Sequence, residues 1–359
     1  MVASASSAAF VADASVPPGV VLGVDFGGSK IAVALAALDG TLLTDGTLAT
    51  EPQLGAAANV ERAVRLARQL LAETASLANP VPGDRGPLLS VGACTFGIPQ
   101  DSGVALSPAV PGWDALPLRR HLEAAFRVPV SVMTDVKAAA SAEARHGVLR
   151  GADPGLYLNL GTGLAVAFVL GGKVVRGAHG AAGEIGYNLR SPADVWDRQG
   201  AGVLVLEDVV SGMGLSASVA RLDRGRTVAG AAGAGRGTDL PVSASEVFER
   251  AGDDPAVKKL LDQFLRELCY HLVNLTIALD PERIAVGGGM VRSWDVLREP
   301  IRSALRAHVP YPPEVLPGAF PYDAALHGAI DLGLELALGA GGQRTPRQRS
   351  AITRQGEAK

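Results

Sequence analysis

Cysteine is scarce in this chain, with only Cys94 and Cys269 among 359 residues. Two cysteines can build neither a disulfide framework nor a cysteine-rich zinc site. Aromatic residues make up only 4%, which disfavours a stacking platform for single-stranded nucleic acid. Neither sign of charge dominates: 33 basic residues nearly cancel 36 acidic ones, leaving a net charge of −3. A protein held to nucleic acid by counterion release carries more basic charge than that. Long apolar runs are missing as well. The stretches Leu156–Leu170 and Ile330–Leu338 are interrupted by Asn159, Asp331 and Glu335, and both fall short of the ~18 residues of a membrane span. No nucleic-acid partner and no membrane association are therefore expected. Residues 1–18 lack the basic start and strong apolar centre of a secretion signal. They are expected to form a disordered small-residue tail, and the chain is expected to be cytoplasmic.

Glycine, by contrast, is abundant at 44 residues, and 48% of the chain is hydrophobic. The length suggests about two domains. From Val20 the sequence reads as an apolar strand, a glycine turn and a second strand, with Asp39-Gly40 turning into a third. Asn59 is expected to cap a helix carrying Val60, Val64, Leu66, Leu70 and Leu71 at helical spacing. A strand ending near Gly97 and Pro99 follows, then the strand VSVMTD, then an Ala-rich helix closed by Gly147. At LYLNLGTGLAVAFVLGGKVV the strand–turn–strand pattern starts again. A long helix over Val257–Leu279 and a short strand over Ile284–Val286 lead to a second backbone-exposing turn at Gly287–Gly289. The low-complexity run Ala229–Thr238 is expected to be a mobile loop, and residues 339–359 a disordered tail. A duplicated plan of this kind predicts a two-lobed α/β protein with a ligand cleft between the lobes.

Two glycine loops sit at the tips of the opening hairpins: Asp25-Phe26-Gly27-Gly28-Ser29-Lys30, and Gly161-Thr162-Gly163. Glycine lets backbone N–H groups approach phosphate oxygens, and the Ser29 and Thr162 hydroxyls add donors. An aspartate beside such a loop can hold Mg²⁺ through water. Gly-Gly turns also occur in hairpins for geometric reasons alone, so either loop in isolation is a weak signal. Asp135 ends a strand and precedes a helix, which suits either a side chain aimed into a cleft or an N-cap. Lys30 reads equally as a surface lysine or as a phosphate contact.

In order along the chain, DFGGSK, GIP, TDVKAAASAE, GTG, Gly177-Ala178-His179-Gly180-Ala181-Ala182-Gly183-Glu184-Ile185-Gly186 and GGG resemble the ROK family (repressor, open reading frame, kinase). The resemblance runs from about Val20 to Leu338. It implies the actin-like ATPase fold, two RNase H-like lobes with an interlobe cleft. The smaller lobe would span residues 19–136 plus a C-terminal helix at 324–338, and the larger lobe residues 137–323. It further implies that Asp25, Gly27, Gly28, Ser29 and Lys30 meet ATP phosphates, with Asp25 holding Mg²⁺ through water. Gly161, Thr162 and Gly163 would form the second phosphate loop, and Gly287, Gly288 and Gly289 would pass under the adenosine. Asp135 would be the general base. Glu184 and Glu207 would bind acceptor hydroxyls, with Gly97, Ala109, Thr134 and Tyr187 lining the same pocket. A homodimer is implied as well.

Departures from the family pattern cluster in one region. The family's zinc is held by a histidine and three cysteines, whose aligned positions here are Tyr187, Arg198, Gly200 and Val205. None of the four is a good zinc ligand, so no zinc is expected. Ala109 stands where the family has an amide on the sugar, Thr134 replaces an asparagine, and Gln100 takes a position often glycine. Each lost partner of a buried hydroxyl would cost a glucose ligand about 1–3 kcal/mol. The expected activity is therefore transfer of phosphate from ATP to the exocyclic primary hydroxyl of a hexose-like ring. A C7-cyclitol or an amino sugar is expected before glucose. An ordinary glucokinase and an inactive sugar sensor are the alternatives. A repressor is disfavoured, because its helix-turn-helix module would have to fit into the 24 residues before Asp25.

Overall fold

The computed structural model describes residues 19–77, 88–107, 109–196, 204–228 and 243–341. Two five-stranded sheets repeat one plan. In the first, β1 (Val20–Phe26), β2 (Lys30–Ala37) and β3 (Leu42–Ala49) form an antiparallel ribbon. On the other side of β1, β4 (Leu88–Thr95) and β7 (Val130–Thr134) pair parallel. The second sheet does the same with β8 (Gly155–Leu160), β9 (Leu164–Leu170) and β10 (Lys173–Val174), then β11 (Arg283–Gly287) and β12 (Glu314–Pro317). A two-stranded ribbon of β5 (Ile98–Pro99) and β6 (Val104–Ala105) stands apart. The repeat expected from the two glycine hairpins is present, and the Gly171-Gly172 turn into β10 has both residues at positive φ, as a tight hairpin requires.

Strand alternation decides which helix each face meets. Leu22, Val24 and Phe26 of β1 bury against α1 (Gly55–Leu77) and α2 (Leu118–Phe126). Val21 on the opposite face packs with Ile330 and Leu334 of α8 (Ala324–Gly341). Asp25 shares that second face by alternation, so the strand delivers a carboxylate to the side where α8 lies. The second sheet buries Leu156, Leu158 and Leu160 under α4 (Gly212–Val228), α5 (Ala244–Asp253), α6 (Pro255–Leu279) and α7 (Trp294–His308). Its other face packs Tyr157, Ala165, Ala167 and Val169 on α3 (Asp135–His146). Helices α3 and α8 run between the sheets and touch at Gly328, where a Cβ would collide with the Ala138 carbonyl. Gly92 of β4 is equally constrained, its missing Cβ making room for the Ala329 carbonyl.

Three local expectations change. Asn59 is not a cap: α1 begins at Gly55, and Asn59 lies fully buried inside it. Its Nδ2 donates to the Glu51 and Gly55 carbonyls at 2.8 Å each, and its Oδ1 accepts the Glu51 N–H at 3.0 Å. The side chain closes the β3–α1 turn from within instead of starting the helix. Gly147 does end α3, but at φ −109. It is glycine there because a Cβ would strike the Glu143 carboxylate. Helix α8 runs through Gly341, past residue 339 where a tail was expected. The expected mobile loop at Ala229–Thr238 and the tail at residues 1–18 lie outside the described residues.

The Asn59 amide holds the chain just beyond Thr50, whose Oγ1 and N–H bond the Gly27 and Ser29 carbonyls. Replacing Asn59 by Ala would strand the part-buried Glu51 backbone groups. The expected loss is about 1–3 kcal/mol of unfolding free energy, read as a lower urea midpoint at unchanged m-value.

Candidate active site

The first glycine loop closes through Gly27 N–H to the Lys30 carbonyl at 2.9 Å, and Thr50 pins it from β3. Gly28, Ser29 and Lys30 are exposed. A Cβ on Gly28 would meet nothing within 4 Å. No contact inside the protein requires glycine there, whereas close approach of a ligand to the backbone would.

Gly161 N–H bonds the Gly163 carbonyl at 3.1 Å, and the start of α4 clasps this second loop, Gly212 N–H reaching the Gly161 carbonyl at 2.9 Å. Glu207 secures the other side, its Oε2 accepting the Leu164 N–H at 2.7 Å. A Cβ on Gly163 would sit 2.6 Å from that oxygen. Gly287 and Gly288 pass beside the end of β8: a Cβ would strike the Tyr157 hydroxyl at the first and the Leu160 carbonyl at the second. Gly288 also adopts φ +84, a conformation that a side chain would strain. The second and third glycine turns therefore lie side by side.

The polar centre forms where α3 starts. Thr134 is its N-cap, with Oγ1 accepting the Lys137 N–H at 3.3 Å. The N-cap reading of Asp135 therefore does not hold. The cap belongs to its neighbour, and Asp135 is the first helical residue, with Oδ1 accepting the Val136 N–H at 2.8 Å. Burial first, then the neighbouring Asp25 and Glu184 carboxylates, raise the Asp135 pKa to about 7. The Val136 amide opposes that shift only in part. Asp25 is also raised by burial, moderated by the Cys94 thiol and the Lys30 charge. The parallel register sets Cys94 beside Asp25, and its Sγ donates to Oδ1 at 3.3 Å. Burial holds the Cys94 thiol well above its ordinary pKa, so it remains a protonated donor.

Glu184 enters from the glycine-rich loop, with its Oε1 3.1 Å from Lys137 Nζ. Tyr187 is about half exposed, and its hydroxyl pKa is raised by burial and then by the Glu207 and Glu184 charges. Asp25, Asp135, Glu184, Glu207 and Tyr187 thus share one electrostatic neighbourhood. The expected pocket residues differ in what they offer it. The Thr134 hydroxyl is committed to Lys137 through its amide and, at 3.5 Å, its ammonium. Gly97, at φ +75, is glycine for its own turn, where a Cβ would lie 2.7 Å from the Ala105 carbonyl. Ala109 is exposed and brings no polar group. Gln100 Nε2 donates to the His179 carbonyl at 3.0 Å, tying the β5 turn to the glycine-rich loop. Lys30 Nζ lies 3.4 Å from the Tyr322 carbonyl.

Sequence reasoning passed over Lys137 and Cys94. A lysine within the small apolar run VKAAA was the available signal for the first; for the second, only the register reveals the partner. Of the positions aligned with zinc ligands, Val205 pairs with Leu189 in an antiparallel bridge, while Arg198 and Gly200 lie outside the described residues. Among the described residues no group of three or more His, Cys, Asp or Glu side chains could hold a metal ion, and no helix is long and apolar enough to cross a membrane.

The chain is similar to known proteins in sequence and in fold. The chain is 30% identical over 261 residues to a bifunctional enzyme NanE/NanK of Brucella melitensis, an alignment covering 69% of this chain and 46% of that protein. It therefore spans about half the length of the first curated relatives it matches. A glucokinase of Halalkalibacterium halodurans is 29% identical over 292 residues, covering 80% of this chain and 85% of the relative. Among solved structures, a ROK family glucokinase from Streptomyces griseus in complex with glucose and AMPPNP is 27% identical. It superimposes with a TM-score of 0.66 over 88% of this chain and 99% of its own. The fold is the actin-like ATPase fold of these neighbours. The model for the ROK family matches residues 21–335, nearly the whole described chain, and the chain belongs to that family.

Proposed function

We propose that this protein is an ATP-dependent kinase that phosphorylates the exocyclic primary hydroxyl of a hexose-like ring, a C7-cyclitol or an amino sugar rather than glucose. The observation that carries the reading is Asp135: a carboxylate at a helix start, released from capping by Thr134 and poised to ionise near neutral pH. Glucokinase and N-acetylmannosamine kinase relatives support the reaction class. The case against glucose rests on Ala109, Thr134 and Tyr187, which offer an acceptor fewer free polar groups than the family pattern does.

Phosphoryl transfer needs positioning, charge neutralisation and a base at the attacking oxygen. In this reading Asp135 takes the proton of the acceptor hydroxyl as that oxygen bonds to the γ-phosphorus. The bond from γ-phosphorus to the bridging oxygen breaks, ADP departs, and Asp135 returns the proton to water. Gly27 and Gly161 close their turns; the remaining backbone amides of those loops, at Gly28, Ser29, Thr162 and Gly163, receive the phosphates, and Gly287–Gly289 support the adenosine. Asp25 suits a Mg²⁺ held chiefly by water and phosphate oxygens, because one or two carboxylates suffice for that ion. Mg²⁺ would spread the charge developing between the phosphates. Glu184 and Glu207 accept hydrogen bonds from ring hydroxyls, Glu207 through the oxygen not bonded to Leu164. The same reading includes two lobes divided near residue 136, a homodimer and a cytoplasmic location.

Asp135→Asn should lower kcat by about 10²–10⁴-fold while leaving ATP affinity within twofold by calorimetry, roughly the scatter of such comparisons. Retained turnover would remove Asp135 from the role of base. The kcat/KM profile should fall on the acid side with a midpoint near pH 7, since only the ionised carboxylate accepts a proton. Stability runs the other way. A carboxyl whose folded pKa is raised binds its proton more tightly when folded, so ionisation weakens the fold as pH climbs from ~4 to 7. Asp135→Asn should therefore raise stability at pH 8 by about 1–3 kcal/mol, a gain that vanishes near pH 4. A coupled ADP-release assay over glucose, mannose, N-acetyl sugars, kanosamine and C7-cyclitols tests the acceptor. The highest kcat/KM on glucose would restore the ordinary glucokinase reading.

A further inference from the structure

Lys137 is the least expected side chain of the site. It is almost completely buried, with 2% of the side chain exposed, in a stretch of α3 whose neighbouring residues Val136, Ala138, Ala139 and Ala140 are buried too. Lysine is rarely buried unless paired, and this one is paired across 47 residues of sequence to Glu184. Its ammonium lies 3.1 Å from Glu184 Oε1 and 3.5 Å from Thr134 Oγ1. Glu184 keeps 24% of its side chain exposed, so it faces solvent on one side and the buried cation on the other. No other lysine or arginine is paired with Glu184 among the described residues.

We propose that Lys137 is a specificity-determining positioning residue: it fixes one Glu184 oxygen and offsets part of the carboxylate's charge, setting the acceptor pocket for a neutral hydroxylated ring over an aminated one. The proposal rests on the reading of Glu184 as an acceptor-binding residue, and it narrows the two acceptor classes named above to the uncharged one. An unpaired carboxylate in a partly desolvated pocket attracts a ring ammonium strongly. A carboxylate already paired with a buried lysine still accepts a hydroxyl hydrogen bond but offers an ammonium little extra. Lys137 acts through Glu184, since its own side chain is too buried to meet the ring.

The test compares each hexose or cyclitol with its monoamino counterpart at neutral pH, as a ratio of kcat/KM and, independently, as a ratio of Kd by calorimetry. Lys137→Met and Lys137→Gln should raise the amine-to-hydroxyl ratio about tenfold, chiefly through KM. Lys137→Arg should leave it at the wild-type value. Adding Glu184→Gln to Lys137→Met should abolish the rise, since no charge is then released. Methionine fills the buried volume without a charge. Removing one partner of an ion pair costs stability when the other is left buried, but Glu184 keeps solvent access. The glutamine variant covers the case in which the methionine variant does not fold. An unchanged ratio in both variants, or a rise that survives Glu184→Gln, would overturn the proposal. If no ring is phosphorylated but the Kd ratio moves as described, the kinase reading fails and this one stands. Failure of every ring to bind would end both.

Discussion

The structure depends on the close crossing of two helices. Helices α3 and α8 approach until the Ala138 carbonyl fills the place where a side chain on Gly328 would be. Gly92 and Gly333 allow α8 a similar approach to β4. Protein interiors are packed too tightly for such contacts to shift gradually. The crossing therefore fixes α3 relative to both sheets: its cap comes from the end of β7, and its apolar face rests on β8 and β9. Asp135 is the first residue of that helix, and Asp25 lies on the face of β1 turned toward α8. The spacing of the two carboxylates follows from backbone packing that begins one turn beyond Asp135.

That packing gathers like charges. Asp25, Asp135, Glu184 and Glu207 occupy one region, and each carboxylate is compensated differently. A thiol kept protonated by burial donates to Asp25. Backbone amides serve Asp135 and Glu207, and a buried ammonium serves Glu184. At Asp135, burial and the neighbouring carboxylates outweigh the Val136 amide, and its pKa is raised to about 7. A carboxyl whose pKa lies near neutrality is suited to moving a single proton.

Much of the fold was legible in the sequence because its signals are local. The hairpins announce themselves through Asp39-Gly40, Gly161-Thr162-Gly163 and Gly171-Gly172, and alternation within VVLGVDF predicts a buried strand. Asn59 misled because asparagine before an apolar run usually caps a helix, whereas here it satisfies the preceding turn from inside the helix. At the site, the carboxylates and glycines could be named in advance, since their residue types state their chemistry. Lys137 could not, because its meaning depends on a partner 47 residues away. Nor could the division of labour between Thr134 and Asp135, since the cap expected of Asp135 is supplied by Thr134. Their roles part only once the helix start is fixed in space.

Glu143 carries a mechanical consequence. It is fully buried near the end of α3, with Oε2 accepting the Val148 N–H at 2.9 Å and Oε1 the Phe320 N–H at 3.2 Å. Farther out, Arg145 and His146 of α3 pair with Asp331 and Glu335 of α8. The far end of α3 is thus tied by charge to α8 and by Glu143 to the chain just before it, while Gly328 joins the two helices by backbone approach. The placement of Asp135 at the start of α3 therefore rests on contacts made at the helix's other end.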